Sequence, residues 1–127
     1  MTKILMSIHH KYAQLIYSGE KTVELRKNTP TALDDEKLTV YLYETDLKSI
    51  TGIIYVDFCR EITEITPKII EKSCLSRKEI EAYKARGRGK LYGWEIRGSD
   101  EHGPDWLRLE DLHVKKAPQS WQYIKEN

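Results

Sequence analysis

No stretch of this chain is apolar for long enough to span a bilayer, and its first residues lack the hydrophobic segment of a secretory signal. Those absences predict a cytoplasmic protein with no membrane contact. Cysteine is scarce. Cys59 and Cys74 have neither metal-type spacing nor the number for a disulfide framework, so reduced thiols are expected. His102 and His113 sit in polar stretches without matching cysteine or carboxylate spacing, which argues against zinc. Neither a metal nor a cofactor is expected. Bulk charge is also missing. Lys and Arg number 21 against 20 Asp and Glu, a net charge of +1. Such a chain has no overall pull on nucleic acid, so any contact with it must use a local patch. Repeats, low-complexity tracts and interdomain linkers are absent.

What is present fits one domain over residues 1–127. The hydrophobic content of 39% and charged content of 32% remain globular, and 127 residues can bury a core. Residues 3–8 read as a first strand. Tyr12, Ala13, Leu15 and Ile16 then make one apolar helical face, and Gly19 suits a left-handed helix stop. From Thr22 the period changes to two, with Val23 and Leu25 on one face and Thr22, Glu24 and Arg26 on the other. That strand is expected to lie centrally in its sheet. Residues 27–36 form a polar loop. Leu38, Val40 and Leu42 alternate with Thr39, Tyr41 and Tyr43 in another strand. In a long strand over residues 52–62, Ile54, Val56 and Phe58 face one way and Ile53, Tyr55, Asp57 and Cys59 the other. Thr66-Pro67 opens a short helix, with proline at the first helical position. Ser76 and Glu79 form a capping box for the next, which Gly87 and Gly89 stop. Residues 91–97 are a strand with Tyr92, Trp94 and Ile96 on one face. Residues 99–105 read as a loop, residues 109–112 as a helical turn, and a short strand lies near Tyr123.

The run Gly19-Glu20-Lys21-Thr22-Val23-Glu24-Leu25-Arg26 places two cations and two carboxylates at a helix-to-strand junction. Charges there are costly unless they pair or meet a polar ligand. Glu24 and Arg26 share a face, and Lys21 at the strand entry can reach the same space. Burial and a like charge from Arg26 would lower the Lys21 pKa, Glu24 opposes that, and the residues alone do not set the net direction. An exposed strand carrying an ordinary surface ion pair is the competing reading.

Gly-x-Lys-x-x-Glu-x-Arg after a strand and helix resembles the signature of the ASCH (activating signal cointegrator homology) domains of the PUA-like superfamily. The opening Ile4-Leu5-Met6-Ser7-Ile8 and the ending Ala117-Pro118-Gln119-Ser120-Trp121-Gln122-Tyr123 resemble the family's two ends, so the resemblance covers essentially the whole chain. It implies an α+β fold: a small, mostly antiparallel, partly open β-barrel with two to three helices and a cleft beside the Lys/Glu/Arg strand. It also implies RNA binding, or, as in some small relatives, RNA cleavage or amide hydrolysis of modified nucleosides such as an N4-acylcytidine. The amidohydrolase relatives carry threonine where this chain has Glu24, and a carboxylate near the place of Glu71. Glu24 in place of that threonine is a departure that weakens the amidohydrolase reading, and Glu71 lies near the place of the carboxylate without a residue-by-residue match.

The expected function is therefore binding of RNA or a nucleotide-like ligand by Lys21, Glu24, Arg26, Arg88, Lys90 and Ser120. The alternative is a small metal-independent hydrolase with Lys21 and Glu24 as catalytic residues. Arg26 suits a bidentate contact with phosphate or a base edge. Arg86-Gly87-Arg88-Gly89-Lys90 is either a phosphate cradle or a helix end with solvated cations. Ser120 offers a donor or a turn bond, and Trp121 a stacking plate or a barrel plug. His9 and His10 are adjacent and diverge in direction, so joint action is not expected. Tyr41, Tyr43, Tyr55 and Tyr92 are expected to pack in the sheet rather than stack bases.

Overall fold

A computed structural model describes residues 2–30 and 37–125. The loop expected over residues 27–36 therefore lies partly outside the described residues. In chain order the elements are β1 (Thr2–Ile8), α1 (His10–Tyr17), β2 (Val23–Arg26), β3 (Leu38–Glu44), β4 (Ser49–Glu61), α2 (Pro67–Ser73), α3 (Arg77–Arg86), β5 (Tyr92–Glu101), a 3-10 turn (Leu109–Leu112) and β6 (Trp121–Tyr123). The strands form one curled sheet in the order β2-β5-β4-β3-β1-β6. Among the described strands only β1 and β3 run parallel.

Local chemistry explains most boundaries. Gly19 has φ of 86°, the left-handed conformation that ends α1. The Thr66 hydroxyl accepts from the Ile69 N–H ahead of Pro67, and Ser76 and Glu79 cap α3 reciprocally. Inside the curl, Ile4, Met6, Ala13, Ile16, Leu38, Val40, Leu42, Ile54, Val56 and Trp94 form the main core. Val23 and Leu25 face the other way and pack with Ile62, Ile69, Ile80 and Leu91, which seats α2 and α3 on the outer side of β2.

Three expectations need correction. β2 is not central: it is the terminal strand of the sheet and, among the described residues, pairs only with β5, although all four of its residues are buried. Its burial comes from its two faces, with α2 and α3 packed on one and its own paired charged side chains on the other. In β4 the period slips. Val56 opposes Ile96 and Phe58 opposes Glu95, so Asp57 is an extra residue, and Phe58 turns out to 47% exposure while Cys59 turns into the core. Burial pushes the Cys59 thiol up to about 12. Lastly, β5 runs on to Glu101, because Ser99, Asp100 and Glu101 keep pairing with Ile54, Ile53 and Gly52 where a loop was expected.

α1 is anchored to the sheet by buried polar groups. Glu44, 1% exposed, meets the His10 ring at 2.5 Å and accepts from the Thr51 hydroxyl at 2.6 Å. Thr51 in turn meets the Tyr17 hydroxyl at 2.9 Å. Burial pushes that hydroxyl up to about 12. Gly52 makes the approach possible, since a Cβ there would lie 2.4 Å from the Asp100 carbonyl and 2.6 Å from the Tyr17 hydroxyl. Gly52→Ala should therefore destabilise the protein by about 1–3 kcal/mol, an overpacking cost. Gly98→Ala, where a Cβ meets nothing within 4 Å, should be near neutral or slightly stabilising. Urea unfolding of both variants checks this, and equal midpoints would refute the packing account.

Candidate functional site

A cleft of about 880 Å³ opens between α1, α3, β2 and the approach to β6. That volume is in the range of small-molecule sites. A second depression of similar size, about 910 Å³, lies around the 3-10 turn. It gathers none of the motif residues. The first gathers Lys21, Glu24, Arg26 and Ser120.

The floor is a buried charge cluster. The period of two in β2 points Glu24 and Arg26 inward, and Lys21 folds in from the end of the α1 turn. Lys21 is 2% exposed. Its Nζ donates to the Ser73 carbonyl at 2.5 Å, lies 3.4 Å from Glu24 Oε1, and sits 5.4 Å from the centre of the Tyr12 ring. Arg26 Nε and Nη2 hold Glu24 Oε2 at 2.8 and 2.7 Å. Nη2 also donates to the Ser7 carbonyl at 2.9 Å, and Nη1 to the Ser120 hydroxyl at 3.1 Å and carbonyl at 3.4 Å. Each guanidinium nitrogen is thus committed to a protein acceptor. Arg26 spans the gap between the terminal strand β2 and the β1–β6 side, which no main-chain ladder closes among the described residues. For Glu24, burial alone would raise the carboxyl pKa, but the charges of Arg26 and Lys21 outweigh it and hold the group below its ordinary value.

The walls come from residues that the motif does not mark. Glu79, Ala82, Tyr83 and Arg86 line one side of the cleft, at the spacing of a single helix face on α3. Lys27 places its Nζ 4.9 Å from the centre of the Tyr83 ring, and Tyr12 faces in from α1. Four cations against two carboxylates thus line a cleft in a chain whose overall charge is +1. The spacing 79, 82, 83, 86 was the available signal, visible only with the basic run read as a helix end.

Other expected residues lie elsewhere. Arg88 and Lys90 are exposed and do not line the cleft, and Lys90 pairs with Glu61 at 3.5 Å. Arg86 is the member of that run that does. Trp121 packs edge-on against Trp94, with ring centres 5.6 Å apart, and donates to the Asn28 side chain at 2.8 Å, so it plugs the barrel. The two histidines diverge. His10 turns to Glu44, while His9 stays on the cleft rim near Asp46 and Thr45. Tyr41 stacks on Trp106, and Tyr55 donates to Asp100. No grouping of side chains suited to a metal ion occurs among the described residues, and no described helix is long and apolar enough to cross a membrane.

A curled half-barrel with a polar cleft beside its terminal strand defines a module of PUA-like architecture. Residues 6–112 match the sequence model of the ASCH domain, and the chain belongs to that family, whose members are generally RNA-binding modules. The fold is similar to that of solved ASCH structures from Zymomonas mobilis. A tyrosine-to-phenylalanine mutant is 22% identical at a TM-score of 0.76, covering 99% of this chain and 92% of its own. A serine-to-alanine mutant is 23% identical at 0.77, covering 98% and 89%. A third structure, ASCH from the same organism, is 20% identical at 0.75, covering 98% and 88%. No curated protein matches the chain.

Two outcomes test the floor. Arg26→Ala should cost about 3–5 kcal/mol, because it leaves buried groups without their partner. Arg26→Lys should not restore it, since an ammonium cannot hold three separated acceptor groups in one plane. The depressed Glu24 pKa adds stability that is present above its ordinary value of 4.5 and lost as pH falls through the lower folded value. Denaturation midpoints of the native protein should therefore drop below pH 4.5. In Glu24→Gln that drop should shrink, from a lower starting stability.

Proposed function

We propose that this protein binds RNA or a nucleotide-like ligand in the Lys21–Arg26 cleft. The observation that carries the reading is the convergence of four cations and two tyrosine rings in one cleft of a nearly neutral chain. Lys27 and Arg86 suit phosphate oxygens, and Tyr12 and Tyr83 offer faces for a base. The Ser120 hydroxyl accepts from Arg26 and keeps its proton for a ligand acceptor. Glu24 and Arg26 hold the floor and set the position of Lys21 and Ser120. In a titration with single-stranded RNA, Arg86→Ala should weaken binding and reduce the salt slope by about one ion. Tyr83→Ala should cost about 1–3 kcal/mol. Lys125→Ala, outside the cleft, should do neither. Equal affinities for Arg86→Ala and Lys125→Ala would reject the site.

Hydrolysis in the same cleft is the second reading, and one observation favours it. His9 Nδ1 lies 3.4 Å from the Asp46 carboxylate and 3.3 Å from the Thr45 hydroxyl, leaving Nε2 open at the rim. A carboxylate-oriented imidazole is a general acid–base arrangement. Lys21, donating to a main-chain carbonyl, would then stabilise charge. With a short RNA as substrate, loss of cleavage in His9→Ala and its survival in Lys21→Arg would assign the base to His9. The reverse pattern would assign it to Lys21. No cleavage by the native protein would sink this reading.

A further inference from the structure

β2 is a terminal strand, and terminal strands present main-chain groups with no partner. Ladder parity shows which ones. The Ile96 N–H donates to the Thr22 carbonyl at 2.9 Å, and the register runs Val23 to Glu95, Glu24 to Trp94, Leu25 to Gly93 and Arg26 to Tyr92. In an antiparallel pair, main-chain groups of alternate residues face the partner. Glu24 and Arg26 therefore bond to β5, while Leu25 turns its N–H and C=O away from the sheet. Its side chain is occupied in the outer core with Ile69 and Ile80, yet Leu25 lines the cleft. The next residue of the same parity, Lys27, lines the same cleft.

We infer that the Leu25 N–H and C=O form a donor–acceptor pair that reads the Watson–Crick face of one unpaired nucleobase held between the Tyr12 and Tyr83 walls. This rests on the nucleotide-binding reading above and narrows it. In an extended residue the two groups lie side by side and point the same way. Adjacent donor and acceptor atoms of matching geometry occur on each base: N3–H and O4 of uracil, for example, or N1–H and O6 of guanine. In a duplex those atoms are consumed by pairing. The ligand is therefore single-stranded, and the cations around the cleft mouth take its flanking phosphates. A main-chain pair discriminates weakly among bases and strongly between paired and unpaired ones.

The test uses the full chain, labelled with ¹⁵N, and two single-stranded RNA hexamers of alternating uridine and guanosine. In the second, every base carries a methyl group on uracil N3 or guanine N1, which removes the donor without changing charge. The unmodified hexamer should bind, shift the Leu25 amide resonance and slow its hydrogen exchange. The methylated one should bind about tenfold more weakly, as expected when main-chain groups in the cleft are left unpaired. Equal binding of both, with an unmoved Leu25 amide, would overturn the inference and leave the binding site standing. Failure of both to bind would overturn the nucleotide reading itself.

Discussion

The Arg26 guanidinium is the interaction on which the rest of the cleft depends. β2 pairs with one neighbour only, so the curl of the sheet leaves a seam between β2 and the β1–β6 side. Side-chain hydrogen bonds to Ser7 and Ser120 cross that seam. A buried guanidinium is tolerable only with a counter-charge, and Glu24 supplies it from the same strand face, two residues away. Glu24 also faces Lys21, so one carboxylate answers two cations and the floor keeps an excess positive charge. The contact that closes the barrel thereby sets the sign of the field in the cleft.

A second buried network fixes the opposite wall. α1 carries Tyr12 into the cleft and ends on the turn that delivers Lys21. Its first turn is held by Glu44 and by Asp46, which accepts from the His10 main chain at 2.9 Å. That main-chain bond holds the Asp46 carboxyl below the usual range. Its last turn is held through Tyr17 and Thr51, packed over Gly52. The two adjacent histidines thus divide their work. One ties the helix to the sheet, and the other remains at the cleft rim.

Burying polar groups at both seams is costly, and it constrains the architecture. Lys21, Arg26 and Glu44 each have partners within hydrogen-bond reach, and those partners come from distant segments: Ser7, Ser73 and Ser120 around the motif, His10 and Thr51 around Glu44. The serines accept through main-chain carbonyls as well as hydroxyls. The side chains they carry matter less than the places where the fold brings their backbones.

Local chemistry was legible in the residues themselves. The capping box at Ser76 and Glu79, the proline after Thr66, the left-handed stop at Gly19 and the shared face of Glu24 and Arg26 each follow from neighbours a few positions apart. The family motif at the two ends indicated the half-barrel. Tertiary structure decided what depends on distant pairing. Asp57 is an unremarkable residue in a period-two run, yet the register with β5 makes it a bulge and exchanges the faces of Phe58 and Cys59. Nothing near β2 marks it as terminal, because the order of strands is set by the whole path of the chain. Arg86 and Arg88 differ little as residues. The end of α3 falls between them and turns Arg86 to the cleft and Arg88 to solvent. A side chain's direction follows local periodicity only while hydrogen-bond registers stay unbroken, and those registers are fixed between segments far apart in the chain.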